Sequence, residues 1–240
     1  MNHWPQKQMC QLLQLTNENE TLRSAATLVR DLGFDYFQFS VALNGPANPR
    51  LAGMGNLPRK WTERYNVMEY AKTDPVLAHC RRSVTPIRWT DELFATTPTL
   101  QRDACSHGVS HGISLAVHDA RGHMSMLSLT RRTLAVNEDE FYAKGGCCLW
   151  LCNLLHERQG EHFIHALGRS TPELSMRERQ ILHWLAEGKT AGETAMILNL
   201  SERTVNFHIT SAVRKTGQKN KTQAVIHATR TGLLSGVTPA

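Results

Sequence analysis

Between Leu57 and Trp89 the chain reads LPRKWTERYNVMEYAKTDPVLAHCRRSVTPIRW, and the groups able to do chemistry there are aromatic side chains with polar tips. Pro58 suits the start of a helix, after which Trp61, Tyr65 and Met68 recur at i, i+4 and i+7. One helix face thus carries an indole N–H and a phenol O–H, and each wants a hydrogen-bond partner once buried. Packing in a core is the commoner role for a Trp and a Tyr so spaced. Asp74 followed by Pro75 reads as a helix start, with the carboxylate as N-cap and proline at the first position. His107 and His111 in HGVSHG have the spacing of two metal ligands on a helix, but Gly108 and Gly112 oppose a helix and no HExxH carboxylate accompanies them. Neither a metal site nor an enzyme is expected.

A second constellation lies near the C-terminus. Val205, Ile209, Ala212 and Val213 fall at i, i+4, i+7 and i+8 and make a buried stripe, leaving Arg203, Asn206, Phe207, Thr210 and Arg214 on the other side. A phenylalanine on a polar face has a use against a thymine methyl in the major groove, beside groups that reach base edges and phosphates. Arg203, Thr204, Asn206, Phe207, Thr210, Arg214 and Lys215 are therefore the candidate DNA-contacting residues.

The elements that must position these groups differ between the two parts of the chain. In the C-terminal part, Ser175 with Glu178, Thr190 with Glu193 and Asn220 with Gln223 have the spacing of capping boxes, and Ser201 is a plain N-cap. Gly188, Asn199, Gly217 and Gly232 mark the ends. Four helices follow, at roughly 176–187, 191–198, 202–215 and 221–231, and the three-residue gap Asn199-Leu200-Ser201 has helix-turn-helix length.

The first 165 residues mix helix and strand. Asn17 or Asn19 caps a helix with Leu22, Ala26 and Val29 on one face, ending near Gly33. Phe37, Phe39, Val41 and Leu43 then alternate with Gln38, Ser40, Ala42 and Asn44. Ile113, Leu115 and Val117 alternate likewise, and DARG turns the chain into a second run from His123 to Thr130, a hairpin. A helix from Asn137 to about His156 carries Phe141, Cys148, Cys152 and Leu155, widened by Trp150, Leu151 and Leu154, enough to cover a sheet on one side and a partner subunit on another. HALGRSTPE breaks the pattern. The expected division is a domain at 1–165, a linker at 166–174 and a second domain at 175–240.

Composition supports two unequal domains rather than a disordered or membrane chain: 240 residues, 41% hydrophobic and 20% charged, with no apolar run of membrane length and polar residues where a secretory signal needs its apolar run. A cytoplasmic protein with no membrane partner is expected. Six cysteines without CxxC pairing read as reduced core residues. Of the net charge of +6, residues 1–174 hold 18 Lys+Arg against 17 Asp+Glu, or +1, and residues 175–240 hold 9 against 4, or +5. A basic unit joined to a neutral one suggests a nucleic-acid reader attached to something else.

The residues resemble those of the quorum-sensing LuxR-type transcription regulators that bind N-acyl-homoserine lactones. Trp61, Tyr65, Asp74, Pro75, Trp89 and Gly112 match that family's signature in identity, order and approximate spacing, and LSMRERQILHWLAEGKTAGETAMILNLSERTVNFHITSAVRKTG matches its helix-turn-helix, with Glu178, Leu182 and Gly188. The resemblance implies an N-terminal α/β/α sandwich around an antiparallel sheet, an α+β chain overall, and a C-terminal all-α four-helix domain. It implies that Trp61 donates to the lactone carbonyl, Asp74 accepts from the amide N–H, Tyr65 donates to the acyl carbonyl, Trp89 packs against the lactone, and Ser128 places a hydroxyl near the amide. Gly112 and Pro75 are architectural in this scheme. The only effector implied is an N-acyl-homoserine lactone, with no cofactor; the partners are promoter DNA at an inverted repeat, a second copy of the chain and RNA polymerase. Leu57 stands where some members carry a tyrosine, and Thr216 and Gln218 stand where apolar residues are frequent. The alternatives are a regulator of the same type that answers a different amphiphile or works without one. A phosphorylation receiver in front of the same helix-turn-helix is opposed by the lack of its acidic pattern.

Overall fold

The computed structural model describes residues 12–15, 17–42, 51–119, 123–168 and 174–234. The chain divides into two compact units, Met1–His118 with Met124–Ala166, and Asp119–His123 with Leu167–Ala240.

In the first unit a capped helix leads into a sheet. Of the two candidate asparagines, Asn17 is the cap of α1 (Glu18–Asp31), its side chain accepting from the Asn19 and Glu20 N–H groups. Five antiparallel strands follow: β1 (Tyr36–Ala42), β2 (Leu51–Gly55), β3 (Ile87–Arg88), β4 (His111–His118) and β5 (Met124–Arg131), in the order β2-β1-β5-β4-β3. Alternation assigns the faces. Phe37, Phe39 and Val41, with Ile113, Leu115, Leu127 and Leu129, are buried against Ala25, Leu28 and Val29 of α1 and Cys148, Leu151, Cys152 and Leu155 of α5 (Glu138–Gly168). The other face is covered by α2 (Arg59–Val67), α3 (Pro75–Cys80) and α4 (Pro98–Ser106), whose Trp61, Val76, Leu77, Leu100 and Ala104 pack with Ala116, Met124 and Met126. This is the expected sandwich.

Several details differ from the sequence reading. The last helix of the unit continues past His156 to Gly168, so 166–168 is helix rather than linker; Ala166 and Leu167 are no breakers, and the first one is Gly168. Met68 is the C-cap of α2 and is exposed, because the chain leaves the helix there and Glu69 takes a left-handed conformation at φ 51°. Cys105 is exposed on α4 and Cys147 half-buried, whereas Cys80, Cys148 and Cys152 are core residues. Leu43, Asn44, Ala120 to Gly122 of the DARG turn, and 169–173 of the linker lie outside the described residues.

The second unit consists of α6 (Met176–Ala186), α7 (Ala191–Leu198), α8 (Glu202–Lys215) and α9 (Lys221–Arg230). The capping boxes at Ser175–Glu178 and Thr190–Glu193 are both reciprocal. At the third, Asn220 accepts from the Gln223 N–H, but Gln223 Oε1 accepts from Lys219 N, one residue before the cap, so the box does not close. Gly188, Asn199, Gly217 and Gly232 all have positive φ. Leu182, Ala212, Ala224 and Ala228 form one apolar cluster, and Ile181, Ala195, Leu198, Val205 and Ile209 another.

Glu178 is 3% exposed in this unit, and a carboxylate so buried needs charge and hydrogen bonds around it. Its Oε2 accepts from the Ser175 N–H at 2.6 Å and from Lys215 Nζ at 2.8 Å. Burial alone would raise its pKa, yet Lys215, the Ser175 N–H and Ser211 outweigh that and hold it at about 2. Thr216, also buried, donates its hydroxyl to the Ala212 carbonyl at 2.8 Å, and Gln218 Nε2 donates to the Thr216 carbonyl. The polar residues at the end of α8 are therefore satisfied by the backbone. Among the described residues no helix is long and apolar enough to cross a membrane.

Candidate functional site

Between the sheet and the layer formed by α2, α3 and α4 lies a cavity of about 270 Å³. Trp61, Tyr65, Asp74, Trp89 and Ser128, from α2, the start of α3, the segment after β3, and β5, all line it.

Trp61 is 5% exposed in the first turn of α2. Its ring meets Tyr65 edge-on at 5.7 Å and stacks on Tyr70 at 6.2 Å. Tyr70 is itself fixed: its hydroxyl donates to Asp103 Oδ2 at 2.6 Å, and the same oxygen accepts from Arg64 Nε, also at 2.6 Å. This joins α2 to α4 behind the indole. Among the described residues the Trp61 N–H has no hydrogen-bond acceptor.

Asp74 is the N-cap of α3, as the Asp-Pro pair suggested. Oδ1 accepts from the Val76 N–H and Oδ2 from the Tyr65 hydroxyl, each at 2.8 Å. Burial pushes the Asp74 carboxyl above its ordinary pKa, while Tyr65 and the Val76 and Leu77 N–H groups pull it only part of the way back. Burial, and then the adjacent carboxylate, raise the Tyr65 phenol as well.

Trp89 is held at both ends of its polar inventory. Its backbone N–H donates to the Gly112 carbonyl, and its indole N–H donates to Ser114 Oγ at 2.9 Å, which lies 2.7 Å from Ser128 Oγ. Phe94 meets its ring edge-on at 5.6 Å. Gly112 permits the close approach of β4 to β5, since a Cβ there would sit 2.5 Å from the Leu129 carbonyl oxygen. Ser128 faces the cavity because Leu127 and Leu129 take the opposite, core face.

Sequence reasoning missed the partners of these groups. Ser114 lies between Ile113 and Leu115, so alternation already put it on the Ser128 face. Gln38 and Ser40 were legible as one face of β1 but were given no role, and both line the cavity. Leu57, Leu100, Ala104, Val109 and Met126 make the rest largely apolar.

In the second unit, α8 has the expected division. Val205, Ile209 and Ala212 are buried, and Arg203, Asn206, Phe207, Thr210 and Arg214 are exposed, Phe207 by 69%. Thr204 is half-buried, its hydroxyl 2.8 Å from the Ser201 cap. Lys215 departs from the set: its ammonium is drawn to Glu178 inside the unit, because that buried carboxylate requires a counter-charge.

Residues 17–159 match the autoinducer binding domain, and residues 172–228 match bacterial regulatory proteins of the luxR family. The chain is 31% identical over 240 residues to the transcriptional activator protein AnoR of Acinetobacter nosocomialis, covering 98% of this chain and 100% of that one. It is 34% identical over 211 residues to the HTH-type quorum-sensing regulator RhlR of Pseudomonas aeruginosa, covering 86% of each. Among solved structures, SdiA in complex with octanoyl-rac-glycerol is similar with a TM-score of 0.80 at 29% identity, covering 95% of this chain and 94% of that one.

Proposed function

The chain belongs to the luxR family of bacterial regulators and carries an autoinducer binding domain, and from that premise we propose that it binds an N-acyl-homoserine lactone and so controls its own binding to promoter DNA. One observation carries the ligand assignment: an indole, a phenol, a carboxylate and a serine hydroxyl converge on a single, largely apolar cavity. A homoserine lactone brings a ring carbonyl, an amide N–H, an acyl carbonyl and an apolar tail, each of which needs its complement in a buried site.

The Trp61 N–H donates to the ring carbonyl and Asp74 accepts from the amide. Tyr65 has one proton and gives it to Asp74, so donation to the acyl carbonyl is an exchange in which the ligand N–H takes Tyr65's place on the carboxylate. Trp89 is a packing wall rather than a donor to the ligand. Its indole can only donate, so Ser114 accepts from it; in the Ser114–Ser128 contact either hydroxyl can be the donor, and the arrangement that serves a ligand is the one in which Ser114 donates and the Ser128 proton is free to turn to the amide region. The alternative of a different amphiphile is kept in view by the octanoyl-glycerol bound to the similar SdiA. Expression with and without a panel of lactones, followed by mass spectrometry of what copurifies, decides between them. A lactone retained in equimolar amount is the expected result, and a lactone-free acylglycerol retained in its place overturns the assignment.

The domains proposed are a ligand-binding one over 1–165 and a DNA-binding one over 175–240, acting as a homodimer. Tyr142 and Trp150, exposed by 71% and 50% on α5, support a subunit contact on that helix. Two copies of α8 then enter successive major grooves of an inverted repeat. Arg203, Asn206, Phe207, Thr210 and Arg214 supply the contacts, with Thr204 at the helix start and Lys215 acting by holding the helix in place. Asn206→Ala is expected to weaken binding to the specific site by about tenfold to a hundredfold, the value of one bidentate base contact, and to leave lactone affinity alone. Equal losses on specific and random duplexes would make Asn206 a backbone contact.

A further inference from the structure

The cavity floor carries more polar groups than the lactone head and amide use. Gln38 and Ser40 project into it from β1, and Ser40 is 6% exposed. Gln38 Nε2 donates to the Phe39 carbonyl at 3.2 Å and to Ser40 Oγ at 3.3 Å. That fills a lone pair on the serine and leaves its proton without an acceptor among the described residues. The neighbouring strand is shaped around the pair. Gly55 and Gly53 of β2 stand opposite Gln38 and Ser40. A Cβ at position 55 would lie 2.5 Å from Gln38 Oε1, and one at position 53 would lie 2.0 Å from the Phe39 carbonyl oxygen. Glycine at both places lets β2 close up against β1, gives the Gln38 carboxamide its room and puts no side chain over Ser40 from either position. Around the Ser40 end the wall is apolar, with Leu51 and Met126, while the polar groups Ser128 and Thr130 lie toward the Gln38 end.

We propose that Ser40, oriented by Gln38, is a second polar contact in the cavity, selecting ligands whose acyl chain carries an acceptor oxygen, a keto or hydroxyl group, near its carbonyl end. The inference rests on the lactone assignment above. Gln38 is directly opposite Ser128 in the β1–β5 register and Ser40 is one step along the diagonal, roughly 7 Å away. With the amide near Ser128, an oxygen on the first few carbons of the tail comes within reach of the Ser40 hydroxyl. A plain methylene there leaves a buried donor unpaired, and the penalty falls on unsubstituted chains.

Isothermal titration of the full chain with unsubstituted, 3-keto and 3-hydroxy N-acyl-homoserine lactones, in an eight-carbon and a twelve-carbon series, tests this. The oxygenated ligands are expected to bind about tenfold more tightly than the unsubstituted one of equal length, the worth of one hydrogen bond in a buried site. Ser40→Ala should level the three, and Ser40→Thr, which keeps a hydroxyl, should preserve the preference. Equal affinities in the unaltered chain, a preference that survives S40A, or one that vanishes in a folded S40T each overturn the subsite. Failure of every lactone in both series to bind overturns the lactone assignment itself, and the subsite with it.

Discussion

An Asp74→Asn chain folds but loses its lactone response, its dissociation constant raised about a hundredfold or more. Asparagine caps a helix as well as aspartate does, so the Val76 N–H keeps its acceptor and α3 keeps its start. What changes is the other oxygen, now accepting from Tyr65 and turned toward the cavity. An NH₂ group there meets the ligand's amide N–H donor to donor. A hydrogen bond to a charged group contributes about 1.5–3 kcal/mol, and the stranded N–H costs about 1–3 kcal/mol more; the first term alone is worth a factor of about ten or more, and the two together about a hundredfold. Asp74→Ala has the same consequence for the ligand but also removes the cap, about 1 kcal/mol of local stability, so the asparagine variant is the cleaner probe. Titration of purified protein, beside a reporter dose–response, measures it. An unaltered curve would remove Asp74 from the binding residues.

The second large effect is on stability. Glu178→Ala is expected to destabilise the second unit by about 3 kcal/mol, the lower end for breaking a buried ion pair, because Lys215 keeps a quarter of its side chain in water and can turn outward. The capping box closes with the same carboxylate, so the Ser175 N–H loses its acceptor too. The folded pKa of Glu178, about 2, lies below its ordinary value of 4.5. The stabilisation is therefore complete above that ordinary value and is lost as pH falls toward the folded one. Urea melts of the unaltered chain between those limits should show a fall that E178A lacks; parallel pH profiles for the two would mean that the carboxylate contributes nothing specific.

The second unit was almost wholly legible from sequence. Helix ends are local chemistry: a serine three residues before a glutamate, or a glycine after the last apolar position, acts through its own backbone neighbours. Gln223 shows the limit, since spacing cannot say which of two adjacent N–H groups a long side chain will choose. The sheet faces in the first unit were legible for the same reason, through the period of two. The assembly of the cavity was less so. Trp61, Asp74 and Ser128 are far apart in sequence, and only the family resemblance joined them. Their support from Ser114, Tyr70 and Asp103 depends on strand register and helix placement, which composition and periodicity do not encode. The pairing of Lys215 with Glu178 was not legible, because a basic residue on a basic helix looks outward until the buried acid on another helix is known.

Tyr65 and Asp74 already satisfy one another, and this governs what an incoming molecule gains. It arrives as a substitute at a position that is taken: one proton donor moves off the carboxylate as another moves on, and the number of donors on Asp74 does not grow. The ligand's carbonyls and N–H also give up water to make their new bonds, so the net attraction from the head is modest. Much of the strength of holding then comes from the hydrocarbon end, through water released from the cavity wall and tail alike. The head then works as an admission test, rejecting anything that cannot repeat the exchange, while the length and fit of the tail determine how long an admitted guest stays.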